Sequence, residues 1–292
     1  MNHTLEGLQQ QRQSARALAS VVSTMKALAA SKIGQYEAAV DSLADYARAV
    51  QLGMLACRQK MNTTRSAVHT KGEGKSGAVI FGSDQGLVGR FNEVICEKLV
   101  HSLGTAAPQT EIWAVGERIA GSLADASLPV AATFAVPNSV QSITLLVAEL
   151  LLNGLAQAVE NRHRRVLVFH NRPVAGRGYE PTCLHLLPFD QHWLQQFEGQ
   201  SWPGSAQPEV IGGSLPVLGA LIREYLFVSL FRACAESLMS ENSTRLSAMQ
   251  RAEKNVEERL EKLTQLFHSL RQKTIDDELF DLVSGFEAGQ LQ

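Results

Sequence analysis

The stretch GAVIFGSDQGLVGRFNEVI, residues 77–95, opens as a β-rich apolar run, breaks into glycines and resumes with helical spacing. A strand, a glycine turn and a helix in that order build an α/β domain, and they are also the layout of a phosphate-cradling loop. The spacing weighs the two readings. Gly82, Gly86 and Gly89 follow G-x3-G-x2-G, whereas the dinucleotide fingerprint requires G-x-G-x-x-G and the P-loop G-x4-G-K-[ST]. No lysine follows Gly89, and no acid stands after the second strand to take a ribose. A structural turn is the favoured reading and a phosphate site the lesser alternative. Asp84 is placed to cap the coming helix, and Gly86 and Gly89 allow strand and helix to pack closely.

Outward from this turn the pattern keeps alternating. Short β-rich runs occur at 77–82, 111–115, 130–136, 165–170 and 179–189, with helical spacing over 88–103, 117–125 and 139–161. Strands alternating with helices predict a parallel, doubly wound, Rossmann-like sheet. The last strand is expected to return as an edge hairpin through NRPVAGRGY. Residues 59–76, with KGEGKSG, read as a polar linker, and 190–213, rich in Gly, Pro, Gln and Trp, as a loop.

The flanks change period. From Leu5 and Leu8 through Ala15, Val22, Ala29, Tyr36 and Val50 to Met54, apolar residues recur at spacings of three and four with gaps, and no proline interrupts them. That is a heptad seam, broken by Arg12 and Lys26, in a rod about 75 Å long at the helical rise. After Pro216 no proline occurs, and Leu218, Tyr225, Val228, Met249, Val256, Leu263 and Leu270 hold a second seam. Ser214 is expected as its N-cap, with Pro216 in the first turn. Beyond Leu270 the phase slips to Ile275, Leu279, Leu282 and Phe286, as at a coiled-coil stutter. Neither rod buries its stripe alone, so the two are expected to pack as an antiparallel coiled coil. The domain partition is then 1–60 for the N-terminal coiled-coil helix, 76–190 for the inserted α/β domain, 191–213 for a connecting loop and 214–292 for the C-terminal coiled-coil helix.

Composition narrows the function. The 292 residues are 45% hydrophobic with a formal net charge of -2, which suits a folded chain and gives no pull toward nucleic acid. Cys57, Cys96, Cys183 and Cys234 lie far apart without a CxxC pair, so reduced intracellular thiols are expected. The N-terminus has neither a secretory apolar core nor an arginine-rich presequence, and nothing directs the chain out of the cytosol. The apolar window 142–159 is interrupted by Glu149 and Asn153 and reads as a buried helix, not a membrane span. The eight histidines form no HxH or HExxH pair, and His170, at a strand end, is the one to inspect. No GxSxG elbow occurs. Catalytic, cofactor-binding and metal residues are therefore expected to be none.

Three segments carry a resemblance: MKALAASK at 25–32, SDQGLVGRFN at 83–92, and ESLMSENSTRLSAMQRAEKN with RQKTIDDELFDLVSG at 236–255 and 271–285. The chain resembles the γ subunit of F-type ATP synthases along nearly its whole length. Glu236, Ser237, Ser240, Glu241, Arg245, Met249, Arg271, Gln272, Ile275 and Glu278 fit the family pattern. Gln85, Val88, Arg90 and Asp276 depart from it, and both a divergent main enzyme and an alternative ATPase fit those departures.

The resemblance implies a non-catalytic central rotor shaft that couples ion translocation, hydrogen ion transport included, to ATP synthesis or hydrolysis on partner subunits. It implies as partners the α and β subunits of the catalytic ring, the ε subunit and the membrane c ring, with no direct nucleotide binding and a peripheral place on the cytoplasmic face of the bacterial cell membrane. By the same resemblance Met25 and Lys26 are expected to face a lever segment of a catalytic subunit. Arg271, Gln272 and Glu278 are expected to form a polar catch. For Lys26 and Arg12 the plain alternative is that their stems cover apolar surface while the charges reach water. Two other classes stay open: a coiled-coil adaptor, and a nucleotide-binding α/β enzyme with a helical dimerisation stalk.

Overall fold

The computed structural model describes residues 4–61, 76–155, 165–176, 178–187, 209–211 and 213–290, without the side chains of 58–61, 154–155 and 285–290. Most of the expected linker 59–76, most of the loop 190–213, the end of the helix expected over 139–161, and His3, His69, His163 and His192 lie outside the described residues. The chain forms two compact units, one of residues 1–29 with 246–292 and one of 30–245.

The chain starts with helix α1, Leu5–Met61, and closes with helix α5, Ser214–Gln290. Ser214 is the first helical residue of α5. The strands are β1 (Ser76–Phe81), β2 (Glu111–Val115), β3 (Val130–Phe134), β4 (Arg165–Val174) and β5 (Gly178–Leu187). Helices α2 (Phe91–Leu103), α3 (Glu117–Asp125) and α4 (Val140–Glu149) connect them, and α4 continues as a wider π turn over Leu150–Leu155.

In the larger unit the sheet order is β3-β2-β1-β4-β5. Its first four strands are parallel, and β5 returns antiparallel to β4 as the expected edge hairpin. Both faces are covered, which explains why the central strands read as continuous apolar runs. Ala78, Ile80, Ile112, Ala114 and Phe169 face α2 and α3, against Ile95, Leu99, Ile119 and Leu123. Their neighbours Val79, Phe81, Trp113, Val115 and Val168 face the other way. There they meet Ile143 and Val147 of α4, Tyr36 of α1, and Leu230, Phe231, Cys234 and Leu238 of α5. The terminal helices thus complete the second layer of the α/β fold. Among the described residues α5 is also the helix long and apolar enough, by length and composition, to cross a membrane. In this fold its Leu230, Phe231 and Leu238 cover the sheet.

The two-helix unit keeps a heptad. Leu8, Ala15, Val22 and Ala29 are buried on α1, and Met249, Val256 and Leu263 on α5. Arg12 meets Phe267 and Lys26 meets Glu253, which fixes the pair as antiparallel.

The glycine turn is longer than its sequence suggests. Helix α2 begins at Phe91, not near 88, because Leu87 and Gly89 take left-handed backbone conformations with φ of 65° and 58°.

Candidate functional site

The turn after β1 is a closed knot of hydrogen bonds. Gly82 N donates to Val115 O at 2.9 Å, and Ser83 N donates to Asn92 Oδ1 at 3.0 Å. Asn92 returns Nδ2–H to Ser83 Oγ, and Arg118 N donates to Ser83 O. A Cβ on Gly82 would lie 2.3 Å from Cβ of Ile119, and one on Gly116, at φ 116°, would lie 2.8 Å from the Ser83 carbonyl oxygen. These two glycines, and not the expected Gly86 and Gly89, let two strand ends and a helix approach: a Cβ on Gly89 would meet nothing within 4 Å, and one on Gly86 only the end of the Arg118 side chain. The Gly82 and Ser83 amides, which a phosphate would need, are already engaged.

Asp84 acts differently from expectation. It does not cap α2; its Oδ1 accepts from Glu117 N at the start of α3, and its Oδ2 from Val136 N beyond β3, each at 2.9 Å. One carboxylate therefore ties three loops on the same sheet edge. Sequence separation hid this, since both partners are more than thirty residues away.

In a doubly wound sheet, ligands bind where the strand order reverses, here beside the carboxyl ends of β1 and β4. Polar residues of α5 occupy that place. Asn171 donates Nδ2–H to Phe91 O at 3.0 Å, and Ser240 donates its hydroxyl to Asn171 O at 2.9 Å. His170, buried, places Nε2 2.8 Å from Glu236 Oε2, while Arg232 Nε donates to Glu236 Oε1 at 2.7 Å. Burial raises the Glu236 carboxyl, but the hydrogen bonds from His170 and Arg232 outweigh it and hold it below the usual carboxylate range. One turn on, Arg245 pairs with Glu241; there burial prevails, and Glu241 is held above its usual value despite the guanidinium. Cys234 is pushed far up by burial, and Tyr36 up to about 12 by burial first, then by Cys234 and Glu241.

Glu236, Ser237, Ser240, Glu241, Asn242 and Arg245 are all buried, so this resemblance-bearing segment fastens α5 to the sheet. Its role was missed in the sequence, although a run of polar residues inside an apolar seam was the visible signal. Among the described residues no three His, Cys, Asp or Glu side chains group as metal ligands.

The other expected contact residues lie in the two-helix unit. Met25 and Lys26 are half-buried. Lys26 Nζ lies 2.6 and 2.7 Å from the two carboxylate oxygens of Glu253, each partner about one-third exposed. Arg12 lays its guanidinium 4.7 Å from the Phe267 ring centroid, so both seam interruptions are matched across the helix pair. Arg271, Gln272 and Glu278 are exposed on α5. The structure does not bring them together with Lys26. Around them Ile275, Leu279, Phe280, Leu282 and Val283 are exposed, as are Leu18, Val21 and Leu28 on α1.

A family described as ATP synthase matches residues 4–288. The chain belongs to the ATP synthase family. Among curated relatives, the ATP synthase gamma chain of Kineococcus radiotolerans is 26% identical over 295 residues, covering 97% of this chain and 96% of the relative. That of Nautilia profundicola is 24% identical over 300 residues, covering 98% of each. Among solved structures, a chain of the Euglena gracilis mitochondrial ATP synthase rotor superposes with a TM-score of 0.58 at 17% identity. That match covers 93% of this chain and 98% of the other. A chain of the Tetrahymena thermophila mitochondrial ATP synthase central stalk and c ring gives 0.56 at 19% identity, over 80% and 99%. At such identities these two ATP synthase structures speak to the fold: long terminal helices around a five-stranded mixed sheet.

Proposed function

We infer that the chain is the central rotor shaft of an F-type ATP synthase, coupling ion translocation to ATP synthesis or hydrolysis carried out by its partners. One observation carries the reading beyond family membership. The two-helix unit leaves a set of large apolar side chains in water, including Leu18, Val21, Leu28, Leu279, Phe280, Leu282 and Val283. Contiguous exposed apolar surface marks an interaction site. The cover that fits two antiparallel helices is a ring around them, here the α and β subunits. In this reading the chain has no catalytic role of its own. Its sheet-bearing unit faces the ε subunit and the c ring, peripheral to the cytoplasmic side of the bacterial membrane.

A shaft needs torsional stiffness, which the heptad seam and the Lys26–Glu253 clasp supply, and weak outward contacts, so that it leaves each position it visits. Met25 and Lys26 face the lever of a catalytic subunit, and Arg271, Gln272 and Glu278 form the polar catch.

Co-expression with the α and β subunits encoded alongside, isolation through a tag on this chain and an ATP hydrolysis assay test the reading. The expected result is an active complex in which the tagged chain is the minor, single-copy partner. A discrete homodimer without them would favour an adaptor, and tight nucleotide binding by the chain alone would favour an enzyme.

A further inference from the structure

We propose that the cavity beside His170 binds a small organic acid, a carboxylate carried on a compact apolar body. This goes beyond the rotor reading and does not depend on it. The cavity, about 240 Å³, lies within the larger unit, where α1, α5 and the β4–β5 edge meet. Val50, Leu184 and Val228 supply apolar wall. An apolar cavity of about 150 Å³ already accommodates a benzene ring, so this one has room for a ring and a carboxylate.

The polar lining selects the charge. Glu236, the carboxylate in the lining, has both oxygens engaged, one by His170 and one by Arg232. Arg232 gives Nε to that bond, and Arg172 gives Nε and one terminal nitrogen to Glu180. The remaining N–H groups of both half-exposed guanidiniums are unengaged among the described residues and suit an anion.

His170 and Arg232 hold the Glu236 carboxylate, so the groups left to a ligand anion are the free guanidinium edges, with Thr182 from β5 and Gln51 from α1 as further polar lining.

The test is a ¹⁹F NMR titration of the full chain, in whatever assembly it purifies, with 4-fluorobenzoate, and with inorganic phosphate as competitor. Saturable binding is expected. Phosphate at the same concentration should not displace it. Arg172→Gln should weaken affinity at least tenfold and Val228→Trp should abolish it, with folding of each checked by circular dichroism. No saturable binding, affinity unchanged in Arg172→Gln, or equal competition by phosphate would each overturn the proposal.

Discussion

Replacing Glu236 by glutamine keeps its shape and removes its charge, which isolates what the carboxylate contributes between His170 and Arg232. Hydrogen bonds to a buried charged group contribute about 1.5–3 kcal/mol, so Glu236→Gln should lower unfolding free energy by that order at pH 7. The folded value is depressed, so the contribution is present above the ordinary glutamate value of 4.5 and is lost as pH falls through the lower folded value. Denaturant melts of both proteins from pH 7 to 3 should therefore converge, and a constant gap would contradict the assignment. Gly82→Ala sets a Cβ against the Cβ of Ile119 with no flexible atom to yield; a loss of more than about 3 kcal/mol is expected in the same melts. Lys26→Glu tests the shaft. Its bond to Glu253 is half in water and contributes less than about 1 kcal/mol, so assembly should survive while coupled synthesis falls. The paired exchange Lys26→Glu with Glu253→Lys restores the clasp. Coupling that stays low in the pair locates the effect at a partner contact, whereas recovery locates it inside the shaft.

The long helices and most strands were legible because each has a single strong period. Buried Leu8, Ala15, Val22 and Ala29 stand seven apart, and the central strands are unbroken apolar runs. What periodicity does not encode was lost. The start of α2 depends on the left-handed Leu87, and the Asp84 clasp on residues distant in sequence. The polar segment of α5 shows the same limit. Its residues were recognised through resemblance, but only the fold shows that they reach Asn171 and His170 on β4. Beyond Leu270 the shifted stripe is exposed at Ile275, Leu279 and Leu282, and so is every other residue of 275–284, so this stretch of α5 is uncovered on all faces. Replacing Ile275, Leu279 and Leu282 by serine should then change the stability of the isolated chain by no more than about 0.5 kcal/mol per site. The same variant should recover much less of the α and β subunits in pull-down. A large thermal destabilisation with normal recovery would assign the stripe to the chain's own core.

At the scale of the molecule, the sheet-bearing unit and the two-helix unit share the same two helices, and among the described residues neither groups three side chains that could hold a metal ion. The crevice where a doubly wound sheet holds its ligand is filled by α5, which turns a nucleotide-binding architecture into a mount for a shaft. That arrangement makes rotation the central claim. Thr105, exposed and remote in sequence from the helix pair, suits a Thr105→Cys attachment point for a bead on the assembled, surface-fixed complex. On adding ATP, bead tracking should record stepwise rotation in one direction that stops when nucleotide is exhausted. An ATP-hydrolysing complex that contains this chain and leaves the bead still would contradict the account.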